Sequence, residues 1–173
     1  MVILLTGPVH SGKTTRVGLL VDELKAKGVP AAGYLSRAVI EGGAIAGYDL
    51  AVIGTGERTP FLRRPPGEGA GSPELAAGSF RFVPAGLERA REIVRRSRPE
   101  EILFIDEVGP AELAGRGVWP ALEAVVGDPE RMILLVVRES LIESVRERLP
   151  APSTAVSFDE GGVGERLLEE MGR

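Results

Sequence analysis

The eight residues Gly7-Pro8-Val9-His10-Ser11-Gly12-Lys13-Thr14 constrain this chain more than any other stretch, because they fit G-x-x-x-x-G-K-[ST] without a mismatch. A loop of that pattern has to be fed by a strand and followed by a helix. Both are legible. Residues 2–5 are a short continuous apolar run, as expected of a strand buried on both faces. Over 13–27 the residues Val17, Leu20, Val21 and Leu24 share a helical face, and Gly28 lies just past the end. The glycines let the backbone curl so that its N–H groups point at phosphate oxygens. The following helix adds its positive N-terminal end. Lys13 can then reach the β- and γ-phosphates, and the Thr14 hydroxyl can sit on Mg²⁺. Pro8, Val9, His10 and Ser11 are the variable residues of this cradle, and Thr15 is expected near the α-phosphate. His10, the only histidine, reads as one of those four.

The rest of the chain is organised around that start. Residues 32–40 and 44–53 are two strand-like runs joined by Glu41-Gly42-Gly43, which reads as a β-hairpin. The Pro- and Gly-rich stretch 59–78, with Arg63 and Arg64, reads as a long loop, and 80–83 as one more short strand. From Pro84 onward helices at 87–98, 118–126, 141–149 and 162–171 alternate with strands at 102–105, 132–137 and 154–158. Such alternation after a strand–loop–helix start predicts a mostly parallel sheet covered on both faces. The expectation is one α/β domain over 1–173, a three-layer P-loop sandwich with the hairpin and loop of 32–83 as an insertion. At 173 residues the chain buries roughly 70% of its unfolded surface and needs no disulfide or metal staple.

The second chemical feature is an apolar strand that ends in two carboxylates, Glu101-Ile102-Leu103-Phe104-Ile105-Asp106-Glu107-Val108-Gly109. In a parallel sheet the carboxyl end of a strand opens onto the ligand crevice. Asp106 there would hold Mg²⁺, directly or through water. Glu107 would orient and polarise an attacking water. A small-molecule kinase excludes water, whereas a hydrolase must place one, so Asp followed by Glu favours hydrolysis. The pair also resembles the branch of P-loop proteins in which one strand lies between the phosphate-loop strand and the acidic strand.

Together the loop, Gly33-Tyr34, Gly47-Tyr48-Asp49-Leu50 and Asp106-Glu107-Val108-Gly109-Pro110-Ala111-Glu112-Leu113 resemble the nucleoside-triphosphatase family that includes the human cancer-related nucleoside-triphosphatase. The resemblance runs over most of the chain. It implies Mg²⁺-dependent hydrolysis of ATP, GTP and other nucleoside triphosphates. Ala111 stands where the family carries a larger apolar residue, and the 59–78 stretch is longer and richer in Pro.

Other candidates follow from the chemistry. A transition state with spread negative charge benefits from an Arg. Arg138, just after the 132–137 strand, is expected at the same crevice edge as Asp106, with Arg37, Arg63 and Arg64 as rivals. Glu112 matches the family pattern and suits an ion pair or a helix start. Trp119 reads as core. Two other functions compete with hydrolysis: a small-molecule kinase with 59–78 as its lid, and a slow nucleotide switch that binds a protein or RNA.

Composition narrows the partners. A net charge of −4 argues against nucleic acid, and the cluster Arg91, Arg95, Arg96 and Arg98 reads as a solvated helix face. No apolar run reaches the ~18 residues a membrane helix needs, and residues 1–5 read as the first strand and not as a signal peptide. The absence of cysteine suits the cytoplasm. A monomer or weak oligomer is expected.

Overall fold

Every residue of the first strand, β1 (Val2–Gly7), is buried. A strand with no exposed face needs cover on both sides, and two apolar layers provide it. Successive side chains of β1 alternate between them. Ile3 and Leu5 join Val17, Leu20 and Leu24 of helix α1 (Lys13–Ala26) in one layer. Val2 and Leu4 join Leu87, Ala90 and Val94 of α2 (Pro84–Arg96) in the other. The computed structural model describes residues 1–7, 12–65 and 72–158, together with Glu165 and Glu169. Both of those glutamates are helical, and the rest of the helix expected over 162–171 lies outside the described residues.

The remaining elements are β2 (Ala31–Glu41), β3 (Ala44–Val52), β4 (Arg58–Arg63), β5 (Ala76–Ala77), β6 (Phe80–Phe82), β7 (Ile102–Val108), α3 (Pro110–Leu113), α4 (Trp119–Glu123), β8 (Ile133–Arg138), α5 (Ile142–Arg148) and β9 (Ser153–Ser157). One nine-stranded sheet runs through them in the order β5-β6-β4-β3-β2-β7-β8-β1-β9. β2, β7, β8, β1 and β9 pair in parallel, and β3, β4, β6 and β5 extend the sheet antiparallel. β8 separates β1 from β7, so one strand does lie between the phosphate-loop strand and the acidic strand.

The hairpin is continuous with the parallel core, since Ala31–Tyr34 of its first strand pair with Ile102–Ile105. Its turn is Gly42-Gly43, both with positive φ, as a two-residue hairpin loop demands. Gly33 is required for a different reason. With φ 117° it lies so close to β7 that an added Cβ would stand 1.9 Å from the Phe104 carbonyl oxygen. Gly33→Ala is expected to destabilise the protein by more than about 1 kcal/mol in denaturant unfolding; an unchanged midpoint would mean that β2 can move away from β7.

The stretch 59–78 is not one long loop. Its first five residues belong to β4, and Ala76–Ala77 form β5 after a 3₁₀ turn at Pro73–Leu75. The Pro that discourages a strand reading sits beside a register shift, where Asp49 faces Pro60 while Tyr48 faces Leu62. A strand tolerates Pro at such an irregularity. Residues 66–71 lie outside the described residues.

Two helices also differ from expectation. α4 is confined to Trp119–Glu123, within the longer 118–126 span. α3 is a four-residue helix, too short for any periodicity to announce. Trp119 is core, 1% exposed, with the Arg148 guanidinium 4.6 Å from its ring centroid. The arginines of α2 and Arg98 do not form a free basic patch. Arg89, Arg91, Arg95, Arg96 and Arg98 each have a glutamate within 3.7 Å. No helix of the described residues is long and apolar enough to cross a membrane.

Candidate active site

The sheet brings the carboxyl ends of β1, β8 and β7 side by side, and the chemistry sits on that edge. Gly7 ends β1. Gly12, with φ 76° and ψ 26°, turns the backbone into α1, and Lys13 is the first helical residue. Pro8, Val9, His10 and Ser11 lie outside the described residues. Lys13 is 8% exposed, and its Nζ donates to the Gly7 carbonyl oxygen at 3.1 Å. That bond spans the loop from its exit to its entry. The first turn of α1 contains no acidic residue of its own, which suits a helix N-terminus that attracts an anion. Thr14 faces the crevice, whereas Thr15 on the same turn is exposed.

Asp106 is 2% exposed. Its Oδ2 accepts the Ser36 N–H at 3.1 Å, and its own carbonyl accepts the Ser36 hydroxyl. The Thr14 hydroxyl also bonds the carboxylate. Burial pushes the Asp106 pKa up to about 6, against the pull of Thr14, Ser36 and the Arg37 charge. A buried carboxylate facing a threonine hydroxyl is an oxygen donor set that suits a hard divalent cation. Among the described residues no cluster of three or more His, Cys, Asp or Glu could hold a metal by itself. A metal here would therefore rest on Thr14, Asp106 and the phosphates of its substrate, with water completing the shell.

Glu107 follows on the same strand, yet it does not point to the opposite face. The register between β7 and β8 jumps from Asp106/Val136 to Val108/Val137, so Glu107 is the extra residue of a bulge. A bulge re-aims a side chain, and Asp106 and Glu107 both line one cavity of about 290 Å³. Arg138 stands in register with Gly7 on β1 and reaches across to Glu107. Its Nε and Nη2 lie 2.9 and 2.8 Å from Glu107 Oε1. Both contacts fall on the same carboxylate oxygen of Glu107.

Arg37, Arg63 and Arg64 are not among the residues that line the cavity. Arg37 adds its field to Asp106 and packs its guanidinium beside Gly18 of α1. Arg63 is held by Asp49 at 2.6 Å, and Arg64 lies over the Phe80 ring at 5.1 Å. Glu112 is a helix-start residue. Its Oε2 accepts the Gly109 N–H at 3.0 Å and its Oε1 the Val118 N–H at 3.3 Å, and burial raises its pKa. Ser36 stands in no motif, and Tyr48, although part of Gly47-Tyr48-Asp49-Leu50, carries no sign of its place at the cavity. Ser36 reaches Asp106 from 70 positions away, and Tyr48 feels the charges of Glu107 and Arg138 across the cavity. A serine or tyrosine in a strand carries no local mark of such a role.

The chain is similar to known proteins. The NTPase family profile matches residues 2–159. The chain is 32% identical over 151 residues to nucleoside-triphosphatase THEP1 of Methanothermobacter thermautotrophicus, covering 86% of this chain and 82% of the relative. It is 29% identical over 161 residues to the cancer-related nucleoside-triphosphatase of Homo sapiens, covering 84% and 83%. The solution structure of a human cancer-related nucleoside triphosphatase superposes with a TM-score of 0.71 at 26% identity, over 98% of this chain and 94% of that one. With the family profile matched over residues 2–159 and a relative 32% identical over 151 residues, the chain belongs to the NTPase family.

Proposed function

We propose that this protein hydrolyses nucleoside triphosphates, ATP and GTP among them, to the diphosphate and phosphate, with Mg²⁺ as its metal. The observation that carries this reading is the meeting of Thr14, Asp106 and Glu107 at one crevice edge. The loop N–H groups and Lys13 hold the triphosphate. Thr14 and Asp106 are the residues that would hold Mg²⁺, which, when bound, neutralises charge on the phosphate oxygens. Glu107 positions a water through its carboxylate and accepts the proton as the water oxygen bonds to the γ-phosphorus. The bond from that phosphorus to the β–γ bridging oxygen breaks, and the nucleoside diphosphate leaves with the electron pair. Arg138 fixes the Glu107 carboxylate, and its guanidinium can also meet the charge spreading over the γ-phosphoryl oxygens.

In this reading residues 1–173 form a single nucleotide-binding domain that works as a monomer or weak oligomer. A cysteine-free chain suits the cytoplasm, and the surface arginines of α2, paired with glutamates, give nucleic acid no free basic stripe. Free phosphate released from a panel of eight nucleoside triphosphates, with and without EDTA, tests the activity and its metal. No release from any of them would overturn it. Lys13→Ala is expected to weaken triphosphate binding roughly tenfold or more in a calorimetric titration. Unchanged affinity would take Lys13 out of the phosphate site.

A further inference from the structure

Hydrolysis uses only one end of the cavity. The γ-phosphoryl group, the metal and the attacking water all belong beside Thr14, Asp106 and Glu107, and the cavity that these residues line measures about 290 Å³. That approaches the size of a small-molecule site. The lining divides by chemistry. Thr14, Asp106, Glu107 and Arg138 supply its reactive groups, Tyr48, Phe61, Leu62, Ala77, Phe80 and Phe82 supply its apolar surface, and Ser36, Ser79 and Glu112 are among the polar residues that complete it. The aromatic walls come from the antiparallel extension of the sheet and brace one another. Tyr48 meets Phe80 edge-on at 5.3 Å between ring centroids, and Phe61 meets Phe82 at the same distance. Glu112, the other charge at the cavity, is already taken up by two backbone N–H groups. Placing a water needs no such aromatic wall.

The geometry points to a second substrate in this cavity: a small uncharged alcohol with an aromatic or branched apolar body, its hydroxyl at Glu107, which accepts the γ-phosphoryl group in place of water. This rests on the reading of the phosphate loop and Glu107 given above. The alcohol oxygen forms the bond to the γ-phosphorus, its proton passes to the Glu107 carboxylate, and the bond to the β–γ bridging oxygen breaks. The nucleoside diphosphate takes the electron pair, and the products are an alkyl phosphate and the diphosphate. Water and alcohol then compete for one position, so the same site is hydrolase and phosphotransferase according to what fills the apolar end.

The test incubates the full chain and MgATP with benzyl alcohol, 2-phenylethanol or 3-methylbutanol, and follows organic phosphate by mass spectrometry beside free phosphate. At least one alcohol is expected to yield its phosphate ester while free-phosphate release falls in step. Ala77→Phe on β5, at the edge of the sheet, narrows the apolar end. It is expected to cut ester formation at least tenfold and to keep free-phosphate release within twofold. Ala77→Leu is a milder filling should the Phe variant fold poorly. No ester from any of the three alcohols overturns the proposal, as does inhibition by the alcohols without ester. Ester formation undiminished in both Ala77 variants would place the acceptor outside this cavity. If the unmodified chain releases no phosphate, or Glu107→Gln releases it at the full rate, the hydrolytic reading itself fails and the acceptor site with it.

Discussion

Glu107→Gln is expected to leave nucleotide affinity within about twofold while cutting phosphate release by a factor of roughly a hundred or more. The amide has almost the volume of the carboxylate, so the bulge on β7 and the walls of the cavity should be undisturbed. Its side-chain oxygen can still accept from Arg138, although the 2.8 Å contact loses its ionic part. What the amide cannot do is take a proton from water. Binding and turnover should therefore separate: titration of the variant with a triphosphate should match the unmodified chain, and single-turnover phosphate release should not. Equal loss of both would mean that Glu107 shapes the site rather than acting on water, and unchanged turnover would remove it from the mechanism.

Asp106→Asn should abolish hydrolysis and yet make the ligand-free protein more stable at neutral pH. The folded state raises the Asp106 pKa from 3.8 to about 6, first through burial. A folded pKa above the unfolded one favours the protonated carboxyl in the native state. The stability that goes with it is complete below pH 3.8 and is lost as pH rises through about 6. Above that point the buried charge costs about 3 kcal/mol. Asn keeps an acceptor for the Ser36 N–H, held at 3.1 Å, and carries no charge. Thermal unfolding at pH 7.5 should therefore shift upward by roughly 5 °C or more in the variant. The gain should shrink toward nothing near pH 4. A lower midpoint at both pH values would show that the Thr14 and Ser36 bonds to the charged carboxylate outweigh its desolvation. Such a gain on removing a functional group is the expected sign of a site held at a cost in stability.

Much of this protein is written locally. The loop from Gly7 to Thr14 is a run of eight neighbours whose glycines, lysine and threonine have meaning only in that order. The strands β1, β7 and β8 announce themselves as apolar runs because both of their faces are buried. The Gly42-Gly43 turn fixes the β2–β3 hairpin, and helical spacing fixes α1 and α2. The segment from 59 to 78 shows where local reading ends. Its Pro and Gly content suggests a loop, but the neighbouring β3 supplies a partner with a register shift beside Pro60, and a strand forms. α3 is held by Glu112 through two backbone N–H groups, one of them six residues away at Val118, and not by any periodicity of its own.

The sequence by itself therefore determined the phosphate loop, the acidic strand and a parallel core sheet with a strand between them, while the antiparallel half of the sheet is as large. The tertiary structure decided how these parts meet. A bulge turns Glu107 toward the same cavity as Asp106, β8 carries Arg138 to Glu107, Ser36 clasps Asp106 from β2, and the antiparallel strands add aromatic walls to that cavity. The physical reason is one of range. A motif's backbone conformation depends on its immediate neighbours, whereas side-chain contacts across strands depend on register and packing, to which residues far apart in the chain contribute together.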